Sequence, residues 1–381
     1  MSEMQFTGIA MMALLTLTLL FVIPRRNTGK AIQRLSGILI AISTFLLSAQ
    51  FAIQYATHWR MTNVTLSVMV NLLLFTPSVA FMSLGMLNLQ RQGRLTKRDW
   101  LVGVVAWAAI ILLLVLSNTA EGVPLLTDTP RLRTAEHIGL GIFFAMQCYY
   151  SFLHIHEDIL VRKALANYYD RDMGDVVRWI ERSILILALM GLFSALFFFS
   201  RGPLLIAFSM LIFFGVYYLV ISYVCNIVSD NSLKIALAVE AERDTEERAS
   251  TDDGQPLQAD KLMEGPSLSD AERRHVEQAI ERWTADGGHL QPDLDIETIA
   301  NELHVTRQNL SAWVKGSEWQ SLKGWLTNLR IEEAKQLLRE HPEWSNETIA
   351  LHCGFSDRSY FQKVFRKCTG TTPAQFIKEG D

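Results

Sequence analysis

The sequence predicts an all-α protein built as a polytopic seven-helix transmembrane bundle followed by a soluble helical domain. Three observations lead to this fold class. Residues 1 to about 230 consist mostly of long apolar runs, whereas the rest of the chain is charged and rich in helix-forming residues. Seven runs are long enough to cross about 30 Å of hydrocarbon as helices. In the soluble part a helical pattern recurs at an offset of 50 residues, and no convincing strand is visible.

The transmembrane prediction depends on apolar runs of helix length separated by polar loops. The runs lie at 5–23, 35–56, 64–87, 100–117, 138–156, 183–200 and 204–228. The first run is a poor signal peptide, because it carries Glu3, lacks a basic start and ends at Pro24 without a small-residue cleavage site. We therefore expect residues 1–228 to form a multi-pass domain in contact with the lipid bilayer.

The loop charges predict how this domain is oriented, since Lys and Arg are retained on the cytoplasmic side. Thirteen basic residues lie in the loops after the first, third and fifth runs, and four lie in the alternate loops. This asymmetry places the N-terminus outside a bacterial cytoplasmic membrane. Everything after residue 228 is then cytoplasmic.

Four neutral amides inside the predicted spans have two interpretations. These amides are Gln50, Gln54, Asn71 and Gln147. In one interpretation they line a pocket for an unknown signal ligand. In the other they form hydrogen bonds between helices, as is common in membrane bundles. The second interpretation carries more weight, because neutral amides are tolerated in lipid better than charges.

The sequence argues against several other chemistries. No span carries a charge at mid-membrane, which argues against an ion pump, and His154 and Asp158 alone make an incomplete metal site. The four cysteines lack C-x-x-C spacing, so neither a zinc site nor a disulfide framework is expected. No catalytic residue, metal or cofactor is therefore predicted.

A connector joins the two parts of the chain. Residues 229–248 continue as a helical stalk, and residues 249–268 are polar, acidic and interrupted by Gly and Pro. That composition is typical of a flexible linker. We therefore expect three parts, with the membrane domain at 1–228, the connector at 229–268 and the soluble domain at 269–381.

The soluble domain contains an internal repeat with the pattern of a helix-turn-helix. The motif Glu-Thr-Ile-Ala at 297–300 recurs at 347–350, and each copy is followed by a turn and a second amphipathic helix. His304 and Gly354 lie in the two turns, and Thr306 and Ser356 are the expected N-caps of the second helices. A helix from Trp319 to Glu340 joins the copies and spans about 30 Å. Successive major grooves are about 34 Å apart, so both second helices are expected to reach one face of DNA.

From Ile349 to Pro373 the sequence resembles the signature of the AraC/XylS family. Leu329-Arg330-Ile331, with Ala334 and Leu337-Leu338, resembles the linker helix of that family, and the likeness covers about residues 290 to 378. The resemblance implies a DNA-binding transcription factor, commonly an activator, without catalytic residues. It makes double-stranded promoter DNA the expected partner, with RNA polymerase and a second copy of the chain as further partners to test.

The register of the family predicts which residues contact DNA. The base-reading positions fall on Gln308, Ser311 and Ala312 in the first copy, and on Arg358, Ser359, Gln362 and Lys363 in the second. The complete predicted interface adds flanking residues and comprises Thr306, Arg307, Gln308, Ser311, Ala312, Lys315, Ser356, Arg358, Ser359, Gln362, Lys363, Arg366 and Lys367.

The chain departs from the family pattern in ways that weaken the first copy. Trp319 and His304 occupy positions where Gly is usual, and Ala312 has no hydrogen-bonding group. Residues 271–381 hold 14 Lys and Arg against 17 Asp and Glu, so the positive charge is local rather than general. The second copy is therefore expected to be the stronger reader of DNA.

Two functional classes fit the whole sequence. The first is a one-component regulator, in which a signal at the membrane changes how the tethered domain binds or dimerises on DNA. The second is a transporter or membrane enzyme fused to a regulatory DNA-binding domain. A buried charge or a broken-helix repeat would favour the second class, and the sequence displays neither.

Overall fold

The computed structural model describes residues 2–22, 31–120, 122–124, 126–197, 203–228, 235, 237–241 and 268–379. Within these residues the regular elements are helices, and an isolated antiparallel bridge joins Tyr169 and Asp295. The all-α fold class expected from the sequence is confirmed. The chain divides into two compact units, one formed by 1–159 with 177–232 and the other by 160–176 with 233–381.

The longer helices of the N-terminal half overlap the seven apolar runs. Their bounds are α1 Ser2–Leu17, followed by a π-helical turn at Thr18–Val22, α2 Ala31–Thr57, α3 Trp59–Thr62, α4 Val64–Gln90, α5 Lys97–Thr119, α6 Pro130–Tyr168, α7 Gly174–Phe197 and α8 Pro203–Val228. Counting described residues only, five helices (α1, α2, α4, α5 and α6) are long and apolar enough to cross a membrane. A shorter apolar helical stretch, Ser209–Cys225, lies within α8.

Helix α6 extends well beyond the run predicted at 138–156, and it continues to Tyr168. The extension is amphipathic rather than uniformly apolar, because Val161, Ala164 and Leu165 are buried while Arg162 and Lys163 are exposed. An apolar run marks the part of a helix suited to lipid, and a helix that continues into water follows a different pattern. The sequence therefore underestimated the length of α6.

Close packing of α2 against α4 forms the centre of the first unit. A Cβ atom at Gly85 of α4 would lie 2.8 Å from Cγ1 of Ile40 and 3.1 Å from the carbonyl oxygen of Ser36 on α2. Such small residues let two helices approach closely where lipid supplies no hydrophobic driving force between them. The hydroxyls of Ser43 and Ser78 also form a hydrogen bond between these helices at 3.0 Å.

Three of the four amides in the predicted spans form hydrogen bonds with one another across the same α2–α4 contact. Asn71 Oδ1 accepts hydrogen bonds from Gln50 Nε2 at 2.7 Å and from Gln54 Nε2 at 3.1 Å. Ser67 Oγ donates to Gln54 Oε1 at 2.9 Å. On α6, Gln147 Nε2 donates to the carbonyl of Leu187 at 3.0 Å. These contacts favour the interhelical interpretation of the amides.

The histidine considered for a metal site has another partner. His154 Nδ1 lies 2.7 Å from Oε1 of Gln90, whose amide nitrogen donates to the carbonyl of His154. Within the described residues no group of His, Cys, Asp and Glu side chains is suited to hold a metal ion. The geometry therefore assigns His154 to the contact between α4 and α6.

The helices of the soluble domain follow the repeat. Their bounds are α9 Asp270–Ala285, a 3-10 turn at Gly288–Leu290, α10 Ile296–Glu302, α11 Arg307–Gly316, α12 Leu322–Glu340, α13 Asn346–His352, α14 Arg358–Thr369 and α15 Pro373–Glu379. The helical stalk predicted at 229–248 is described only at 235 and 237–241, which are helical. The flexible linker predicted at 249–268 lies outside the described residues, except for residue 268.

Helix α9 supplies a third layer to the first repeat. The hydroxyl of Ser269 accepts from the backbone of Glu272, whose carboxylate in turn accepts from the backbone of Ser269, so a capping box starts the helix. The buried face of α9 ends at Trp283, whose ring centroid lies 6.0 Å from that of Trp325 on α12. Trp313 of α11 completes the aromatic cluster at 5.4 Å from Trp325. This cluster fixes α11 against α9 and α12.

Candidate nucleic-acid interface

Helices α10 and α11 form the first helix-turn-helix. The predicted N-cap Thr306 is confirmed, because its hydroxyl accepts from the backbone of Asn309 at 3.2 Å. His304 adopts φ 55° in the turn, the left-handed conformation that glycine usually supplies. The turn therefore forms at a position without glycine. Leu310 and Val314 are buried beneath α11, as the apolar pattern predicts.

Helices α13 and α14 form the second helix-turn-helix. Gly354 has φ +74°, which confirms the left-handed turn expected there. The prediction that Ser356 caps α14 is wrong, because Asp357 Oδ1 accepts from the backbone of Tyr360 at 2.7 Å. The helix begins one residue later than the repeat suggested, at Arg358, so the cap moves with it. Phe361 and Phe365 are fully buried beneath α14.

The linker helix α12 begins later than predicted. Ser321 caps it by accepting from the backbone of Gly324 at 3.1 Å, so the helix starts at Leu322 and Trp319 precedes it. Its 19 residues correspond to about 28 Å at 1.5 Å per residue. Trp325 and Leu338 lie fully buried towards opposite ends of this helix, so each repeat packs on it.

Arg330 of α12 is a buried polar residue at the centre of the domain, and the sequence pattern predicts no role for it beyond the linker motif. Its Nε donates to the carbonyl of His289 at 2.9 Å, and Nη2 donates to the carbonyl of Gln291 at 2.6 Å. Nη2 also pairs with Oδ2 of Asp170 at 2.7 Å, and both side chains are almost fully buried. Burial raises the pKa of Asp170, and the guanidinium of Arg330 opposes that increase.

The second recognition helix, α14, presents most of its predicted DNA-binding residues to solvent. The exposed members are Ser356, Arg358, Ser359, Lys363, Arg366 and Lys367, and Gln362 is half-buried. Long cationic side chains on an exposed helix face suit phosphate contacts and bidentate contacts to guanine. The structure therefore brings these residues together on one accessible face.

The first recognition helix, α11, is arranged differently. The expected exposure of Ser311 and Ala312 is wrong for this structure, in which they are only 5% and 9% exposed. Ser311 lines a small cavity together with residues 164, 167 and 168 from the end of α6. Arg307 Nη1 lies 3.3 Å from Oε1 of Glu297.

The remaining predicted contacts of this helix are partly accessible. Thr306 is exposed, and Gln308 and Lys315 are half-buried. The first recognition helix, α11, is therefore only partly accessible to DNA.

Comparison with known proteins identifies the domain. Residues 299–379 match a family model described as a helix-turn-helix domain. Over 128 residues the chain is 30% identical to the regulatory protein PocR of Salmonella typhimurium, covering 34% of this chain and 40% of PocR. Over 98 residues it is 31% identical to the HTH-type transcriptional activator RhaS of Escherichia coli O157:H7, covering 26% of this chain and 34% of RhaS. The C-terminal part of this chain therefore carries a helix-turn-helix domain similar to that of AraC-type transcription regulators.

The arabinose operon regulatory protein of Escherichia coli K12 is a further relative of the AraC-type domain, with 32% identity over 84 residues, 22% of this chain and 28% of that protein. The chain thus spans less than half the length of these curated relatives. No solved structure matches the chain significantly.

The AraC-type domain has two recognition helices in unequal states. Arg358 and Lys363, which are predicted to read bases, are exposed on α14, whereas Ser311 on α11 is buried. Insertion of a recognition helix into the major groove requires that its reading side chains be accessible. In this structure the second helix-turn-helix meets that requirement and the first does not.

Proposed function

We propose that this chain is a membrane-anchored, sequence-specific transcription regulator, a one-component sensor that couples a membrane or extracytoplasmic signal to promoter binding. The proposal combines an AraC-type domain with a helical N-terminal half suited to lipid. No enzymatic step is part of the proposal.

The accessible face of α14 is the observation that carries the DNA-binding part. Arg358 and Lys363 project donors from a helix that begins with an exposed cap, the geometry used to read base edges in the major groove. The linker helix spans about 28 Å, close to the roughly 34 Å between successive major grooves. One chain is therefore expected to read two adjacent groove segments.

The distribution of loop charges supports the membrane part. Thirteen basic residues against four place the N-terminus outside and the AraC-type domain in the cytoplasm, where chromosomal DNA lies. The protein is then a multi-pass protein of the bacterial cytoplasmic membrane. Promoter DNA and the lipid bilayer are its proposed partners, together with a signal ligand whose chemistry is open.

The family suggests two further partners. RhaS is named a transcriptional activator, and activation by this chain would involve contact with RNA polymerase. A second copy of the chain is also proposed, because dimers read two half-sites.

Chromatin precipitation tests the DNA-binding part. The full-length protein is compared with an Arg358→Ala, Lys363→Ala variant and with a matched Lys335→Ala, Lys378→Ala variant, which removes equal charge elsewhere in the domain. We expect the first variant to lose promoter occupancy and the second to retain it. Unchanged occupancy in the first variant would contradict the assignment.

A helix exchange tests the sensing part. The seven predicted spans are replaced by one unrelated membrane anchor of the same orientation, and transcription from an occupied promoter is measured under the growth conditions that change it. We expect the regulator to lose its response while still occupying the promoter. A preserved response would show that the native helices serve only as an anchor.

A further inference from the structure

We propose that residues 160–176, the docking segment, bind the AraC-type domain and keep its first recognition helix away from DNA until a signal releases it. The docking segment comprises the end of α6, the turn that follows it and the first three residues of α7. This inference rests on the proposed function and adds a regulatory contact to it. In the proposed topology the segment lies on the cytoplasmic side, between the fifth and sixth predicted spans.

A buried ion pair anchors the docking segment. Asp170 Oδ2 lies 2.7 Å from Nη2 of Arg330, and the two side chains are 1% and 5% exposed. The backbone nitrogen of Asp170 donates to the carbonyl of Leu294 at 3.0 Å, and Tyr169 forms a bridge with Asp295. A buried charge needs its partner, so removal of either member disrupts such a contact strongly.

The charges on either side of Asp170 complement the domain as well. Arg171 Nη1 lies 2.9 Å from Oδ1 of Asp293, and Lys323 Nζ lies 3.0 Å from Oδ1 of Asp172. Three successive residues of the segment, with charges of alternating sign, thus each meet an opposite charge. Each exposed ion pair contributes little to the binding free energy. The alternating charges nevertheless favour one position of the segment along the domain over shifted positions.

Docking covers the reading face of α11. Ser311 and Arg307 line a small cavity with Ala164, Asn167 and Tyr168 of the docking segment. The wall of this cavity also includes Ile296 and, from the helical residues that follow α8, Ala238 and Ala241. Because a base edge must reach the position these residues occupy, DNA and the docking segment compete for the same face.

The docking segment also contacts the second helix-turn-helix. Asp170 and Arg171 line a second cavity with Gly354, Phe355 and Ser356, which form the turn before α14. Burial raises the pKa of Asp172, but Lys323 and, more weakly, Lys363 bring it below its ordinary value. An acidic side chain of the segment therefore lies within electrostatic range of a predicted base-reading lysine.

The position of the segment suggests how a signal could release it. The docking segment continues directly from α6 and leads into α7, so a displacement of either helix would move it. A signal ligand shifts the balance only if it binds the released state more tightly than the docked state. Release would free Ser311 and leave Asp170 hydrated in the cytoplasm.

A reversible cross-link tests docking and masking together. The exposed native cysteines Cys148, Cys225 and Cys368 are replaced by Ser, and Asp172→Cys is combined with Lys323→Cys in the full-length protein. The purified protein, in lipid nanodiscs, is treated with a short thiol-reactive linker that has a reducible spacer. Asp172→Cys with Lys335→Cys is the control, because Lys335 lies three turns further along α12.

The cross-linked and reduced forms are then titrated with a promoter fragment recovered by chromatin precipitation. We expect the 172/323 pair to cross-link, the control pair not to, and the locked form to bind about tenfold more weakly or worse than the reduced form. Absence of the cross-link overturns docking, and equal affinity of both forms overturns masking while leaving the proposed function intact. If neither form binds any fragment, the proposed function fails and this inference fails with it.

A second variant reports on release without a cross-linker. Asp170→Ala with Asp172→Ala lies outside the DNA-binding domain and removes two of the three charge contacts. We expect tighter binding of the promoter fragment than in the unmodified chain, and raised promoter occupancy in cells without the inducing condition. Weaker binding would mean that docking supports the DNA-binding conformation, which contradicts the inference.

Discussion

The backbone of Gly354 lies directly against the carbonyl of Leu290, so that a Cβ atom at this position would come within 2.5 Å of the carbonyl oxygen. The contact joins the turn of the second helix-turn-helix to the segment that precedes the first. Arg330 binds the carbonyls on either side of Leu290, at His289 and Gln291. The two repeats are therefore held together by backbone contacts as well as by the linker helix.

Gly354→Ala is expected to destabilise the AraC-type domain by more than the left-handed conformation alone, which costs about 1–2 kcal/mol. Gly370→Ala is the matched control, because Gly370 has φ +82° and no atom lies within 4 Å of the added carbon. Thermal unfolding and limited proteolysis of the full-length protein measure both. Equal losses in the two variants would show that the Leu290 contact adds nothing.

Asp357→Ala is expected to destabilise α14 by about 1 kcal/mol, the usual effect of losing an N-cap. Ser356→Ala is the control, because the sequence pattern predicts it as the cap whereas the structure gives that role to Asp357. Chemical unfolding of the full-length variants measures the difference. A larger loss for Ser356→Ala would restore the original assignment.

These two positions show what the repeat could and could not predict. The repeat identified both helix-turn-helix units, the left-handed turn at Gly354 and the buried residues of each second helix, because all of these follow from local patterns. It placed the cap one residue early, since Ser356 and Asp357 are both good caps and only the start of the helix decides between them. Local patterns fix the type of an element better than its boundary.

The burial of Ser311 could not be predicted from local patterns. Residues 164, 167 and 168, which line the same cavity as Ser311, lie more than 140 positions away in the sequence, and Asp170 is separated from Arg330 by 160 positions. A charged segment in a loop between two predicted spans has the ordinary appearance of a solvated turn. Its complementarity to the domain emerges only when the two are brought together in the fold.

Cys353 is expected to resist alkylation in the folded protein, whereas Cys368 reacts. Burial raises the pKa of the Cys353 thiol to about 12, so almost no thiolate forms at neutral pH. Cys368 is exposed on α14. Mass spectrometry after a timed maleimide pulse measures both sites in one sample, and denaturant should remove the difference. Similar rates without denaturant would contradict the packing of α13 against α14.

Asn71→Ala is expected to lower the stability of the N-terminal half, because it removes the acceptor shared by Gln50 and Gln54. Hydrogen bonds between transmembrane helices contribute about 0.6 kcal/mol each on average. A double-mutant cycle of Asn71→Ala with Gln54→Ala measures the coupling by thermal unfolding in detergent. Lost signal response with unchanged stability would instead favour the ligand pocket.

Arg358→Ala is expected to weaken promoter binding more than Gln308→Ala. Arg358 is exposed on α14, whereas Gln308 is half-buried on a helix whose neighbour Ser311 is covered. A good bidentate contact to a base contributes about 1–3 kcal/mol of discrimination, so Arg358→Ala should also relax the choice of base at one position. Titrations of the full-length variants with the wild-type operator and with single-base substitutions separate a lost base contact from a lost phosphate contact.

Removal of the docking contacts should reduce the difference between the effects of Arg358→Ala and Gln308→Ala on promoter affinity, because release exposes the first recognition helix. A larger effect of Gln308→Ala in the unmodified chain would mean that the first unit, although covered in this structure, is the principal reader on DNA.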